Sequence, residues 1–161
     1  LSKLTQKRLH QMLNYDPETG IFTARISSAA RLQGQRAGCL KKKCRWIAVD
    51  GVRYQEHRLA WLYIYGKWPD NDIDHINHVR DDNRIVNLRD VTRSINGHNR
   101  AGPTVKNKLG LLGVTSYASG KRFRASIQIP NKKVVHFGKY NTPEAAHNMY
   151  ILKKREYGLL P

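Results

Sequence analysis

Between Asp72 and Arg100 the chain reads D-I-D-H-I-N-H-V-R-D-D-N-R-I-V-N-L-R-D-V-T-R-S-I-N-G-H-N-R, and no other stretch narrows the fold as much. It sets a carboxylate beside an imidazole at Asp74 and His75, then brings Asn87, and after it Asn96 and Asn99. Neighbours on an extended strand point to opposite faces, so Asp74 and His75 offer two different groups to two sides of one segment unless the strand is bulged. Thr92 is placed to cap a short helix over residues 93–100, on which Asn96 and Asn99 share a face. The D-D-N-R run at 81–84 reads as a hairpin loop.

These residue types suit the hydrolysis of a phosphodiester. The anionic ester repels a nucleophile and its alkoxide leaves poorly, so a hydrolase needs an activated water and a cation. Histidine titrates near neutrality and can take the water's proton. One carboxylate and one amide oxygen, with water completing the shell, suit Mg²⁺ or the similarly hard Mn²⁺.

The charge balance points to the same kind of partner. The 161 residues carry a formal net charge of +17 and a pI near 10.2, which calls for a polyanion. Residues 1–70 contribute +8, residues 71–101 are neutral and residues 102–161 contribute +9. Basic flanks thus enclose a carboxylate-bearing centre, as expected if the ends grip DNA and the middle accepts a cation. No apolar run is long enough to span a bilayer and no charged-then-apolar leader is seen, so the expected location is the cytoplasm. Cys39 and Cys44 do not make a disulfide framework, and a zinc site with His57 lacks a clear fourth ligand.

Taken in order, Leu4, Leu9, Met12 and Leu13 have helical spacing, with Thr5 as cap. A turn at Glu18-Thr19-Gly20 leads into a strand from Ile21 to Ala24. Residues 34–45, rich in glycine and lysine, read as a hairpin loop in which Lys41, Lys42 and Lys43 are candidate phosphate contacts. Asp50-Gly51 joins strands at Trp46–Val49 and Val52–Tyr54. The H-R-L-A-W-L-Y-I-Y-G run predicts a buried helix, apolar all round and stopped by Gly66, with His57 a hydrogen-bonded structural histidine. After Arg100 a basic linker without periodicity (102–110) precedes strands at 113–117, 122–129 and 134–140 and a helix opened by Thr142, Pro143 and Glu144. In the middle strand Arg122, Arg124, Ser126 and Gln128 alternate with Phe123, Ala125, Ile127 and Ile129. Ala145, Ala146, Met149 and Leu152 are the residues expected to cover the apolar face.

The D-H, N-L-R-x-V-T and I-N-x-x-N series resembles the HNH endonucleases of the ββα-metal fold, above all the phage and intron-borne homing branch. That resemblance implies His75 as general base, Asn87 as the residue that orients its imidazole, Asp74 and Asn96 as ligands of a single divalent ion, and Asn99 as an additional candidate. The Y-D-P-E-T-G-x-F segment at 15–22 resembles the start of phage HNH proteins. The G-V at 113–114, R-F-R-A at 122–125, F-G-K-Y at 137–140 and T-P-E-A-A at 142–146 are similar to the Apetala-type DNA-binding domain of ethylene-response factors. There the sheet enters the major groove, which implies Arg122, Arg124, Lys132, Lys133 and His136 as DNA contacts.

The expected fold class is α+β: a ββα-metal nuclease core with N-terminal hairpin and helix elements (1–101), then a three-stranded antiparallel sheet on one helix (111–161). The expected function is a site-specific homing-type endonuclease acting on double-stranded DNA in a phage-infected bacterial cell, with no protein partner indicated. A DNA-binding regulator derived from a nuclease is the alternative. An RNA-binding protein is disfavoured because the aromatic stacking signature is missing.

Overall fold

Thr5 starts the first helix, its hydroxyl accepting from the Arg8 N–H at 3.3 Å, and α1 runs Gln6–Met12. These features come from a computed structural model that describes residues 3–28, 32–99, 102–103, 107–129 and 133–159. The chain forms two compact units, Leu1–Thr92 and Arg93–Pro161. Among the described residues the architecture is mixed α and β, with small antiparallel sheets and four helices.

In the first unit, β1 (Leu13–Asp16) pairs with β2 (Ile21–Ala24) across the turn at Gly20. β3 (Cys39–Lys41), β4 (Cys44–Val49) and β5 (Val52–Gln55) form a meander. Residues 39–41 are therefore a strand where the sequence predicts loop. The turn after β3 puts Lys42 and Lys43 at φ +51° and +70°, the geometry of a tight primed turn, but built from two lysines instead of the usual asparagine and glycine. α2 (Glu56–Tyr65) ends as expected on Gly66 at φ +73°. Its apolar character is not uniform, since Leu59, Ala60 and Leu62 are buried while Ile64 and Tyr65 are exposed. Leu9, Phe22, Ile47, Leu59 and Leu62 make the centre of this core, to which Leu88 also belongs. β6 (Asp72–His75) and β7 (Leu88–Val91) form a separate hairpin, with a single 3-10 turn at Ile85–Asn87 leading into β7.

The second unit begins with α3 (Arg93–His98), shorter than the predicted helix, whose last residue, Arg100, lies outside the described residues. β8 (Val114–Ser116), β9 (Phe123–Gln128) and β10 (Val134–Tyr140) form an antiparallel sheet with β9 central. α4 (Pro143–Glu156) starts at Thr142, whose hydroxyl accepts from the Ala145 N–H. The helix presents Ala146, Tyr150 and Lys154 to the core, with Met149 alongside. Ala145 and Leu152 are exposed, against expectation, because at 100° per residue they sit about a third of a turn away from the Ala146–Tyr150 stripe. Lys154, 3% exposed, donates to the His98 carbonyl at 2.6 Å and so ties the last turn of α3 to α4.

Gly113, at φ +73°, lies flat against the Tyr150 ring, where a Cβ would overlap the aromatic carbons. Gly113→Ala combines left-handed strain with overpacking and is expected to destabilise the second unit by roughly 3 kcal/mol. Thermal melts followed by near-ultraviolet circular dichroism check this, and an unchanged transition would show that Tyr150 moves aside without cost.

Candidate active site

The hairpin of β6 and β7 positions the two residues that the motif singles out. Asp74 stands opposite Arg89 and His75 opposite Leu88. Asp90, one position further along β7, accepts from the N–H groups of Asp70 and Asn71 at 2.8 and 2.9 Å, which fixes the entry into β6. Asp74 and His75 are both buried. On one face, Arg89 gives Nε and Nη2 to the Asp74 Oδ2 at 3.0 and 2.8 Å. On the other, the His75 ring meets the edge of His57 on α2, with centroids 5.2 Å apart and planes at 88°.

The His75 Nε2 lies 3.0 Å from the Asn83 Oδ1. Asn83 is only 1% exposed, so within the D-D-N-R run expected as a hairpin loop this one side chain turns inward while Arg84 stays exposed. Its Nδ2 donates to the Glu56 Oε2 at 2.7 Å, and its carbonyl accepts from the Tyr15 hydroxyl at 2.7 Å. Gly20 packs against the backbone of Asn83 and Arg84 so tightly that no Cβ fits there. The N-terminal hairpin therefore braces Asn83 from behind.

Asn87 has a different task from the one the resemblance implies. Its Oδ1 accepts from the Asn77 N–H at 3.0 Å, and its Nδ2 donates to the Asn77 Oδ1 and the Asp82 carbonyl at 3.0 and 2.8 Å. It closes the 76–87 loop, and the bond to the imidazole is made by Asn83. The physical reason is reach. The Ile76 N–H already pairs with the Asn87 carbonyl, so the Asn87 side chain lies over the loop.

Burial sets the protonation of this cluster. It pushes the Glu56 carboxyl up to about 6, against the lowering influence of the Asn83 hydrogen bond and the Arg45 charge. The Arg45 Nε is 3.7 Å from Glu56 and 3.3 Å from Asp81. Burial also holds His57 down to about 3, with the neighbouring His75 and Arg58 adding to the effect. The Tyr15 phenol is raised, by burial first and by Glu56 next. Asp82 is lowered to about 2 by its hydrogen bond to Arg84.

The remaining predicted residues are distributed as follows. Asn96 is half-buried on α3 and Asn99, just past its end, is buried. Lys41, Lys42 and Lys43 are exposed at the β3–β4 turn. Lys41 and Lys42 edge a concavity of about 870 Å³ lined also by Arg36, Trp46 and Arg53. In the second unit Arg124 is level with Thr115 on β8 and Lys139 on β10, and His136 is level with Ser126. The Tyr117 ring receives Arg124 at 5.6 Å and Lys139 at 5.4 Å. Arg122, Lys133 and His136 are exposed, and Lys132 lies outside the described residues. Among the described residues, no three His, Cys, Asp or Glu side chains converge as a metal cluster, and Cys39 and Cys44 are free thiols. No helix among them is long and apolar enough to cross a membrane.

Sequence reasoning missed Asn83, Glu56, Arg89 and Tyr15. Arg89 was the most accessible of these, since pairing His75 with Leu88 puts an arginine directly across from Asp74. Glu56 gave no signal, because a carboxylate at the start of a helix is ordinarily a solvated first-turn residue.

Residues 54–98 match the family of HNH endonucleases, a little over a quarter of the chain. The match begins on β5 and ends on α3, so it takes in Glu56, Asp74, His75, Asn83, Asn87 and Asn96. Comparisons with curated proteins and with solved structures gave no match. An HNH endonuclease domain implies nuclease activity on DNA, and enzymes of this kind generally use a divalent metal ion.

Proposed function

We propose that the chain is a site-specific, homing-type DNA endonuclease in which His75 is the general base and Asp74 and Asn96 are ligands of one divalent ion. The observation that carries this reading is the buried Asp74–His75 pair, its two groups turned to opposite faces and each held by a partner, inside the segment that matches the nuclease family. The donor set fits a hard cation: a carboxylate and an amide oxygen, with no thiolate and no second imidazole among the assigned ligands. Mg²⁺, or Mn²⁺ in its place, when bound there would offset charge on the scissile phosphate and the leaving oxygen.

The chain's own residues do the rest. The imidazole of His75 takes a proton from the attacking water as the P–O bond to the 3′-oxygen breaks, leaving 5′-phosphate and 3′-hydroxyl ends. Arg89 holds the Asp74 carboxylate in one orientation. Asn87 keeps the loop that follows His75 closed. Lys41, Lys42 and Lys43 supply phosphate contacts, and Arg122, Arg124, Lys132, Lys133 and His136 form a reading surface of the Apetala type. Tyr117, flanked by two cations, gives that surface an aromatic centre.

Purified protein incubated with supercoiled plasmid and Mg²⁺ is expected to relax or linearise it, and chelator to stop the reaction. Tight DNA binding without any cleavage in Mg²⁺ or Mn²⁺ would favour a non-catalytic regulator. The ligand assignment has its own test. Asp74→Asn keeps an acceptor for Arg89 but removes the charge, and Asn96→Ala removes the amide oxygen. Both are expected to shift the Mg²⁺ dependence of the cutting rate about tenfold or more to higher concentration, or to abolish cutting. Metal titrations identical to wild type in both variants would defeat the one-metal assignment.

A further inference from the structure

The contact between His75 and Asn83 has a direction. Glu56 is completely buried, and its carboxylate can only accept when ionised, so the Asn83 amide must turn Nδ2 towards Glu56. That leaves the Asn83 Oδ1 facing the imidazole, and an oxygen there can only accept. The Asn83 main chain cannot swing to relieve this arrangement, since Tyr15 holds its carbonyl and Gly20 presses on its backbone. Glu56 is itself held in place, with Arg45 at 3.7 Å from the same Oε2 that receives Asn83.

We propose that Asn83 and Glu56 are positioning residues that fix the tautomer of His75, keeping Nε2 protonated and Nδ1 the basic nitrogen of the ring. The assignment rests on His75 being the base. The acidic end of the relay is what orders it: a buried carboxylate forces an otherwise symmetric amide to choose one orientation, and the amide passes that choice to the ring. With the opposite tautomer the lone pair of Nε2 would face the Asn83 Oδ1 at 3.0 Å, two acceptors set against each other.

The test uses the full-length protein labelled with ¹⁵N at histidine, with ring nitrogen correlations recorded at a pH where His75 is neutral, alongside cleavage kinetics. The wild-type spectrum should give a protonated Nε2 and an unprotonated Nδ1 at His75. Glu56→Gln lets the amides reverse and should yield mixed tautomers, with kcat lowered about 10- to 100-fold and KM little changed. Asn83→Leu removes the acceptor and should do the same. Combining Glu56→Gln with Asn83→Asp restores a one-way relay, because the new amide can only donate to the new carboxylate, which can only accept from the ring. That double variant should recover the wild-type tautomer and most of kcat. A wild-type Nδ1–H tautomer, single variants that leave the tautomer unmoved, or a moved tautomer without a change in kcat would each overturn the proposal. Undiminished cleavage by His75→Ala is a separate result. It would remove the base assignment while the ring spectra still report whether Asn83 and Glu56 set the tautomer.

Discussion

His75→Ala is expected to lower the cleavage rate by roughly 10² to 10⁴ while leaving DNA affinity within about threefold of wild type. The size of the first effect is that of losing a positioned proton acceptor. The smallness of the second follows from where the side chain lies. His75 is 7% exposed, packs against His57 and lies beside Asn83, and it is not one of the exposed cations proposed to grip DNA. Asp74 is unaffected in its pairing with Arg89, which occupies the other face of the strand. The variant does leave the Asn83 oxygen without its donor, so circular dichroism must accompany the kinetics. Cleavage at the wild-type rate would refute the base assignment, and a fall in binding parallel to the fall in rate would point to a collapsed hairpin.

The second large effect concerns acid. His57 is held down to about 3 by burial, so the folded protein keeps it neutral over a range in which the unfolded chain protonates it. A depressed folded pKa means that stability is intact above about 6.5 and is lost progressively as pH falls towards 3, in total on the order of 4 kcal/mol. Glu56 acts in the opposite sense. Its folded pKa is raised to about 6, so between 6 and about 4.5 the folded state gains a proton before the unfolded one does and recovers on the order of 2 kcal/mol as pH falls. Asp82, lowered to about 2, again destabilises on acidification, but only below about 4. The net expectation is acid unfolding governed by His57. His57→Leu should therefore unfold at distinctly lower pH than wild type, as followed by tryptophan fluorescence, whereas Glu56→Gln should not. Coincident acid transitions in His57→Leu and wild type would show that His57 is hydrated enough to titrate normally.

Much of the fold could be read from turn chemistry. Thr5, Thr142 with Pro143, Gly66 and Asp50-Gly51 stop or start elements where the sequence predicts, because each acts through its own backbone or its neighbour's. The β3 strand was hidden for the converse reason: its turn uses two lysines at positive φ, which the surrounding meander imposes on them. On α4 the expected cover holds at Ala146 and Met149 but not at Ala145 and Leu152, whose places the core gives to Tyr150 and the buried Lys154. In the candidate site, Asp74 and His75 were legible because their chemistry is rare as a neighbouring pair. Asn83 was not, since asparagine in a D-D-N-R run looks like any turn former. What marks it is the company of Glu56 and Tyr15, 27 and 68 positions away in the chain. Only tertiary structure brings such partners together.

The bond from Lys154 to the His98 carbonyl bears on how proteins of this kind can be recombined. α3 is six residues long, buries no side chain and is too short to persist by itself. The lysine that satisfies its end carbonyl, and complements the negative end of its dipole, is contributed by the final helix of the chain. Exchanging the C-terminal sheet and helix for another module at the 102–110 linker would strand α3, and Asn96 with it, without that ammonium. A crossover at Thr92 would instead move α3 together with its anchor. The second unit therefore begins inside the segment that matches the nuclease family, and any exchange made at the apparent linker would need a new clamp for the short helix.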